Sequence, residues 1–382
     1  MSSSIAILDF GSSRISVLTG NRGPNNTVQV TSQSEVKYAG FSSGEWLRPE
    51  LLTSAIHQAI LGAEATSGTK IRHLYIGVPG EFSSVITKNI THTYPKRKKI
   101  IDKDVENLMI KGQDFSTNEM VLINRQPIFY TLDDGRRLIE PIGQSSNTLS
   151  GLISYIMAES NFTTFIDSIM ESIGIETAEY VSSTLAQCLY LLDSSKRDRI
   201  SVLIDIGYIT TTVAVVRGDG LLSLSSFSLG GGYIAGDLRE HFGMPFADAE
   251  ILKRQVFVSI VPEADDVYEV NGKEYSASVT NKIVIERLKV IAKAVQKCLN
   301  LCKFDIPVMA SYCLTGGGVS YMRGAKELIG QFLEKDIELI KMPLPNVDKH
   351  HNSSALGLLN MIIDASMVIA KKKGILGFFL GE

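Results

Sequence analysis

The chain has 382 residues, 44% of them hydrophobic and 21% charged, enough for two to four domains each with its own core. Lys and Arg number 38 against 41 Asp and Glu, a formal charge of −3, and no basic stripe with interleaved aromatics occurs, so nucleic acid is not an expected partner. Four Cys make no disulfide framework, His350 and His351 have no partner at metal spacing, and no apolar run reaches the ~18 residues that a membrane span requires. Met1 to Ser4 lead straight into a strand instead of a signal peptide, and a cytoplasmic protein is expected.

In chain order, strands Ile5–Asp9 and Ile15–Thr19 form a hairpin about the turn Gly11-Ser12-Ser13. A turn cluster, Asn21 to Asn26, leads to a strand near Val28–Val30. Glu50 to Ala65 has the apolar spacing of an amphipathic helix, with Pro49 suited to its first position. Leu74–Val78 reads as a strand before Pro79-Gly80. From about 71 to 158 the pattern changes to short strands (Ser84–Ile90, Leu122–Tyr130, Leu152–Met157) around one polar helix from Asp102 to about Lys111. Lys96 to Lys99 reads as a loop there, Asp133-Asp134-Gly135 as a hairpin turn, and the whole segment as a small α+β insertion.

Helices at about Phe162–Ile173 and Ser183–Leu192 precede a second hairpin, Leu203 to Val216, built on Asp205-Ile206-Gly207. It echoes the first: an Asp ending a buried strand, a Gly two residues later, then hydroxyl residues. Strand Leu221–Phe227, Gly230-Gly231-Gly232, helices from Ile234 and over Ala247–Val256, a hairpin turning at Asn271-Gly272 and the long helix Val279–Cys302 follow. A buried strand Val308–Leu314 runs into Thr315-Gly316-Gly317-Gly318; helices Gly324–Leu333 and about Ala355–Ala370 close the order. Alternating strands and helices with a repeated hairpin predict an α/β fold with internal duplication.

Tight turns after strands aim backbone N–H groups at one point, and two such turns facing each other can grip a polyphosphate. Gly11 and Gly207 permit close approach, and Ser12, Ser13, Thr210 and Thr211 add hydroxyl donors. Asp9 and Asp205 would repel phosphate directly but can hold Mg²⁺ through its waters. Gly316, Gly317 and Gly318 make a third turn suited to a flat base or a phosphate. Glu250 and Lys253, three apart on a helix, can reach ribose hydroxyls or form a plain ion pair. No Walker sequence is present.

These motifs in this order resemble the superfamily of actin, heat-shock chaperones and sugar kinases, and within it the bacterial FtsA family most closely. The likeness runs through Asp9-Phe10-Gly11-Ser12-Ser13, Tyr75 to Gly80, Pro141-Ile142-Gly143, Asp205-Ile206-Gly207, Leu229 to Leu238, Ala249 to Lys253, Leu314 to Gly318 and Ala355 to Leu359. It implies an actin-like two-lobed α/β fold with duplicated ribonuclease-H-like subdomains and an FtsA-type 1C (SHS2-like) insertion. Subdomain 1A would take 1–70, 159–198 and 352–370; 1C, 71–158; 2A, 199–238 and 308–351; and 2B, 239–307. The implied ligand is ATP with Mg²⁺, bound by the motif residues above together with Tyr208, Gly231 and Gly232. The implied partners are other copies in a filament, the FtsZ C-terminal tail at Lys253 and Arg254, later division proteins and the cytoplasmic face of the membrane at the division site.

Three departures from the family pattern stand out. Tyr208 and Ile209 replace two glycines of the second phosphate turn, and Thr212 replaces its final acid. The helix Ser183–Leu192 offers no acid to orient water; Gln187 is the one side chain there able to polarise it, so hydrolysis is expected to be slow or absent. The end, 371–382, follows the last helix with almost no linker. Its Lys371, Lys372 and Lys373 beside Ile375, Leu376, Phe378, Phe379 and Leu380 suit an anionic membrane surface or packing on a protein. Two alternatives remain: a pilus-assembly platform of the PilM type, and a small-molecule kinase, for which no cleft acid stands out.

Overall fold

The computed structural model describes residues 4–24, 27–115, 119–340 and 352–380, with side chains to 366. His350, His351 and the side chains of 371–382 lie outside them.

Two five-stranded sheets repeat one topology. In the first, Ile5–Phe10 pairs antiparallel with Arg14–Arg22, which pairs with Val28–Lys37; on its other side Ile5–Phe10 runs parallel to His73–Val78, and that strand to Thr177–Ser182. In the second, Ser201–Ile206 holds the central place, flanked by Thr211–Arg217 and Gly220–Phe227 on one side and by Ser311–Thr315 and Ile337–Leu339 on the other. The senses match strand for strand. Asp9 pairs with Ser16 and Asp205 with Thr212, so the two Asp positions are equivalent. Both central strands are buried and read as near-continuous apolar runs, as strands with parallel neighbours do.

Each sheet has its own core. Helices Pro49–Ser67 and Ser160–Ser172 cover the first, with Leu52, Ile56, Ile60, Phe162 and Ile166 buried against Leu8, Val17 and Ile76. Pro49 takes the first turn, and Gly68, at φ 67°, ends the helix. Helices Gly231–Phe242, Phe246–Gln255 and Ala277–Leu301 cover the second through Leu238, Leu252, Val284, Leu288 and Val295. Helix Ser183–Leu191 lies between the lobes. Leu185 and Cys188 join an apolar cluster with Leu203 and Val216, and Ala186 meets Leu356 and Leu359 of the last helix.

That last helix, Ser353–Leu380, packs on the first lobe at very short range. A Cβ on Gly357 would stand 2.6 Å from the Ala186 carbonyl oxygen. Its backbone stays helical past Ala370, where a separate tail was expected; the intervening Lys residues are good helix formers and carry the glycines along. Among the described residues no helix is long and apolar enough to cross a membrane.

The insertion departs from expectation at its start. His73–Val78 belongs to the first-lobe sheet, and the separate four-stranded sheet begins at Ser83–Lys99, followed in space by Ser145–Glu159, Met120–Leu132 and Arg137–Leu138. Lys96 to Lys99 are strand, not loop. They end an edge strand, where charge is tolerated because it discourages pairing with other chains, and Lys98 is held at 2.9 Å by Asp104. Likewise the strand expected from Val308 begins at Ser311. Pro307 sets a turn, its carbonyl accepting from the Ala310 N–H, and leaves Val308 exposed.

One face of the four-stranded sheet covers helix Asp102–Lys111 through Ile90, Leu108 and Tyr155. The other docks on the edge strand of the second lobe. Ser154 Oγ donates to the Leu221 carbonyl at 2.7 Å, and Ile128, 2% exposed, enters the second-lobe core. Truncating that anchor, Ile128→Ala, should cost about 2–4 kcal/mol by removing buried methyl groups and leaving a cavity. Urea unfolding of the full chain measures it; a loss under about 0.5 kcal/mol would mean the insertion is only loosely docked.

Candidate functional site

The two hairpin turns close in the same way. Gly11 N–H donates to the Arg14 carbonyl and Gly207 N–H to that of Thr210, both at 2.9 Å. They face each other across a cleft of about 700 Å³ between the lobes. Of the residues singled out in the sequence, Asp9, Gly11, Ser12, Ser13, Asp205, Gly207, Tyr208, Thr210, Glu250, Lys253, Gly316, Gly317 and Gln187 line it, and Arg254 reaches its rim. Gly316, at φ +99°, needs to be glycine; a Cβ there would stand 2.2 Å from Asp205 Oδ1.

Asp9 is buried, and two hydroxyls donate to it: Ser183 Oγ to Oδ1 at 2.7 Å and Ser354 Oγ to Oδ2. Burial raises its carboxyl above the ordinary range, while the two serines oppose that shift. Asp205 is pushed up to about 6, chiefly by burial; the Gln187 hydrogen bond opposes the shift, and the Asp9 charge adds to it. Gln187 is buried and not a surface residue. Its Nε2 donates to Asp205 Oδ2 and to Ser353 Oγ, each at 2.7 Å, so its amide hydrogens already have acceptors. Two enclosed carboxylates, with the Asp9 charge raising the proton affinity of Asp205, fit a hydrated Mg²⁺, which needs few direct ligands. Among the described residues no group of three or more His, Cys, Asp or Glu could hold a metal directly.

Several expected ligand groups are engaged elsewhere. Gly231 N–H donates to the Gly207 carbonyl at 2.9 Å and Gly232 N–H to that of Tyr208 at 2.7 Å, so these first amides of helix Gly231–Phe242 hold the second turn in place. Gly318 N–H donates to Ile206 at 2.8 Å, and a Cβ on it would lie 2.1 Å from the Gly207 carbonyl. These glycines let backbone pack on backbone; they do not line the cleft. Thr211 points its hydroxyl away, at the Leu229 carbonyl.

Lys253 is 2% exposed and cannot meet a partner peptide. Its Nζ donates to Glu250 at 2.7 Å and to the Gly231 carbonyl at 3.1 Å, and burial lowers its pKa. Arg254 is exposed, its guanidinium 5.1 Å from the Tyr321 ring centre. Burial, with Glu250 beside it, pushes the Tyr208 phenol up to about 12.

Sequence reasoning missed Ser183, Ser354, Tyr38 and Glu81. Tyr38 donates to the Gly11 carbonyl at 2.8 Å and so braces the first turn. Glu81 lies on the cleft wall, accepting from Ser228 Oγ of the other lobe at 2.9 Å. Only Glu81 carried a signal, following Pro79-Gly80 at the end of a strand; the serines sit at helix starts that read as caps.

Repeated sheets and paired turns over a polar cleft define an actin-like protein. Solved structures agree on that fold. The PilM–PilN type IV pilus biogenesis complex matches with a TM-score of 0.60 at 15% identity, covering 94% of this chain and 98% of that one. MreB 5 of Spiroplasma citri bound to AMPPNP matches at 0.56 and 9%, covering 98% and 99%. In sequence, the family model for cell division protein FtsA matches residues 202–357. FtsA of Neisseria meningitidis serogroup B is 24% identical over 345 residues, 88% of this chain and 82% of the relative. FtsA of Bacillus subtilis is 22% identical over 378 residues, 96% and 85%. In sequence the chain is thus similar to the FtsA cell division proteins over most of its length.

Two outcomes test this geometry. Gly318→Ala should cost more than about 3 kcal/mol or prevent folding, because backbone must move. Gly236→Ala, in open space on the same lobe, should be neutral or stabilising by up to about 1 kcal/mol. Thermal unfolding of both variants compares them directly.

The second concerns Asp205. Its folded pKa, about 6, exceeds the ordinary 3.8, so the fold holds the proton more tightly. That stabilisation is complete below the ordinary value and lost as pH rises through about 6. Asp205→Asn should therefore gain on the parent by about 1–3 kcal/mol between about pH 5 and pH 7.5, read from denaturant midpoints. A pH-independent difference would remove Asp205 as the titrating group.

Proposed function

We propose that the chain binds ATP with Mg²⁺ between its lobes and acts in cell division as a nucleotide-switched, filament-forming scaffold that tethers the FtsZ ring to the membrane. The observation that carries this reading is the pair of equivalent turns, each led by an aspartate, facing one cleft in a relative of FtsA. Basic groups on the cleft wall, Arg14, Lys37 and Lys253, favour an anionic ligand.

In this reading Asp9 and Asp205 hold the hydrated cation, which would neutralise phosphate charge. Gly11, Ser12 and Ser13 receive phosphate from the first lobe; Gly207, Tyr208 and Thr210 receive it from the second. Gly316, Gly317, Glu250 and Lys253 form the adenosine side. Gln187 positions Asp205 instead of activating water, so nucleotide acts as a switch and not as fuel. An acidic FtsZ tail would meet Arg254 with the exposed Lys282, Lys293 and Lys297 of the long helix. The insertion, about 71–158 in the family pattern, would make filament or partner contacts. Lys371 to Lys373 and the apolar residues after them would rest on anionic lipid at the division site, where later division proteins join.

The PilM likeness is one of fold, at 15% identity, whereas the sequence relation is to FtsA. Electron microscopy of the full chain on an anionic lipid monolayer, with ATP and without nucleotide, tests the proposal. Filaments that need ATP are expected; none under any condition would overturn it.

A further inference from the structure

The tips of the two turns touch. Ile209 N–H donates to Ser12 Oγ at 3.0 Å, and Ile209 Cδ1 lies 2.8 Å from where a Cβ on Gly40 would stand. Two charge-assisted hydrogen bonds in series, about 2.8 Å each, already exceed that 3.0 Å gap before any phosphorus is counted. No phosphoryl group fits between the tips while this contact holds.

Nor can the second turn retreat. Its carbonyls at Gly207 and Tyr208 accept from Gly231 and Gly232, and Gly318 packs directly behind Gly207. Room at the tips has to come from moving one lobe against the other. The order of contacts along the cleft sets which phosphate is affected. Glu250 and Lys253 lie against Tyr208, and the next residue, Ile209, meets Ser12. A nucleotide with its base on the side of helix Phe246–Gln255 therefore aims its last phosphate at the Ser12–Ile209 contact.

We infer that the closed cleft selects a nucleoside diphosphate over the triphosphate, with Ile209 and Ser12 as the specificity-determining pair. A third phosphate enters only when their hydrogen bond breaks, so the triphosphate state is the more open one. The inference rests on the nucleotide-switch reading and adds to it which nucleotide goes with which lobe arrangement. Glycine in place of Ile209 would keep the amide but remove the side chain that crosses to Gly40, weakening the tie between the tips so that the lobes part more readily.

Isothermal titration of the full chain with ADP and with AMPPNP, each with Mg²⁺, tests it. The parent should bind ADP at least tenfold more tightly. Ile209→Gly should narrow the ratio to within threefold, chiefly by tightening AMPPNP; Ser12→Ala, which removes the acceptor, should narrow it too and answers the question if the glycine variant fails to fold. Equal affinities in the parent, or an unchanged ratio in folded variants, would overturn the inference while leaving nucleotide binding intact. Binding of neither nucleotide by the parent would overturn the proposed function, and the inference with it.

Discussion

Two carboxylates enclosed in one cleft are the constraint on which the rest of this molecule turns. Asp9 and Asp205 end equivalent strands, and neither is satisfied by its own hairpin. A buried carboxylate must find hydrogen-bond donors or give up its charge. The donors come from far along the chain: Ser183 and Gln187 on the helix between the lobes, Ser354 at the start of the last helix. Meeting that need draws both helices to the cleft floor. It also explains why the first lobe is completed by residues more than 340 positions from Asp9.

A second constraint is backbone packing without side chains. Gly207, Gly231 and Gly318 come from three separate glycine-bearing turns and converge on one point, where a Cβ on Gly231 would lie 2.2 Å from the Gly318 carbonyl. The second turn is thereby fixed from behind. The first is braced differently, by the Tyr38 hydroxyl. The duplicated hairpins thus share a topology and a turn hydrogen bond but not a support. The second turn, which carries Tyr208 and Ile209, is held by backbone on backbone, and the first by a single side chain.

The family relation and the fold relation carry different weight. Actin-like neighbours below about 15% identity share the path of the chain, and chemistry does not follow from path alone. The similarity to FtsA covers most of the chain in sequence, including the stretch from Val202 to Gly357 that holds the second turn, helix Phe246–Gln255 and the Gly316 turn. That stretch is also where the chain departs from the family pattern, at Tyr208 and Ile209.

Much of the architecture was legible in the residues. The echo of Asp9-Phe10-Gly11 in Asp205-Ile206-Gly207 announces the duplicated sheets, because a strand, a turn and a strand are local and their period-two and turn signals are strong. Asn271-Gly272 as a hairpin turn and the helix over Ala277–Leu301 follow from the same local rules. Where tertiary contact competes with local preference, the sequence is silent or misleading. The charged run Lys96 to Lys99 reads as loop until its strand partner is known, and Gln187 reads as a side chain able to polarise water until Asp205 and Ser353 are brought against its amide. Gly231, Gly232 and Gly318 read as ligand contacts, since the sequence registers only that something must approach closely; the fold decides that the something is Gly207 and its turn. Sequence by itself determined the repeated motifs and the aspartates that lead them. Only the tertiary structure decided which groups still face the cleft, because hydrogen-bond partners hundreds of residues apart compete for the same donors.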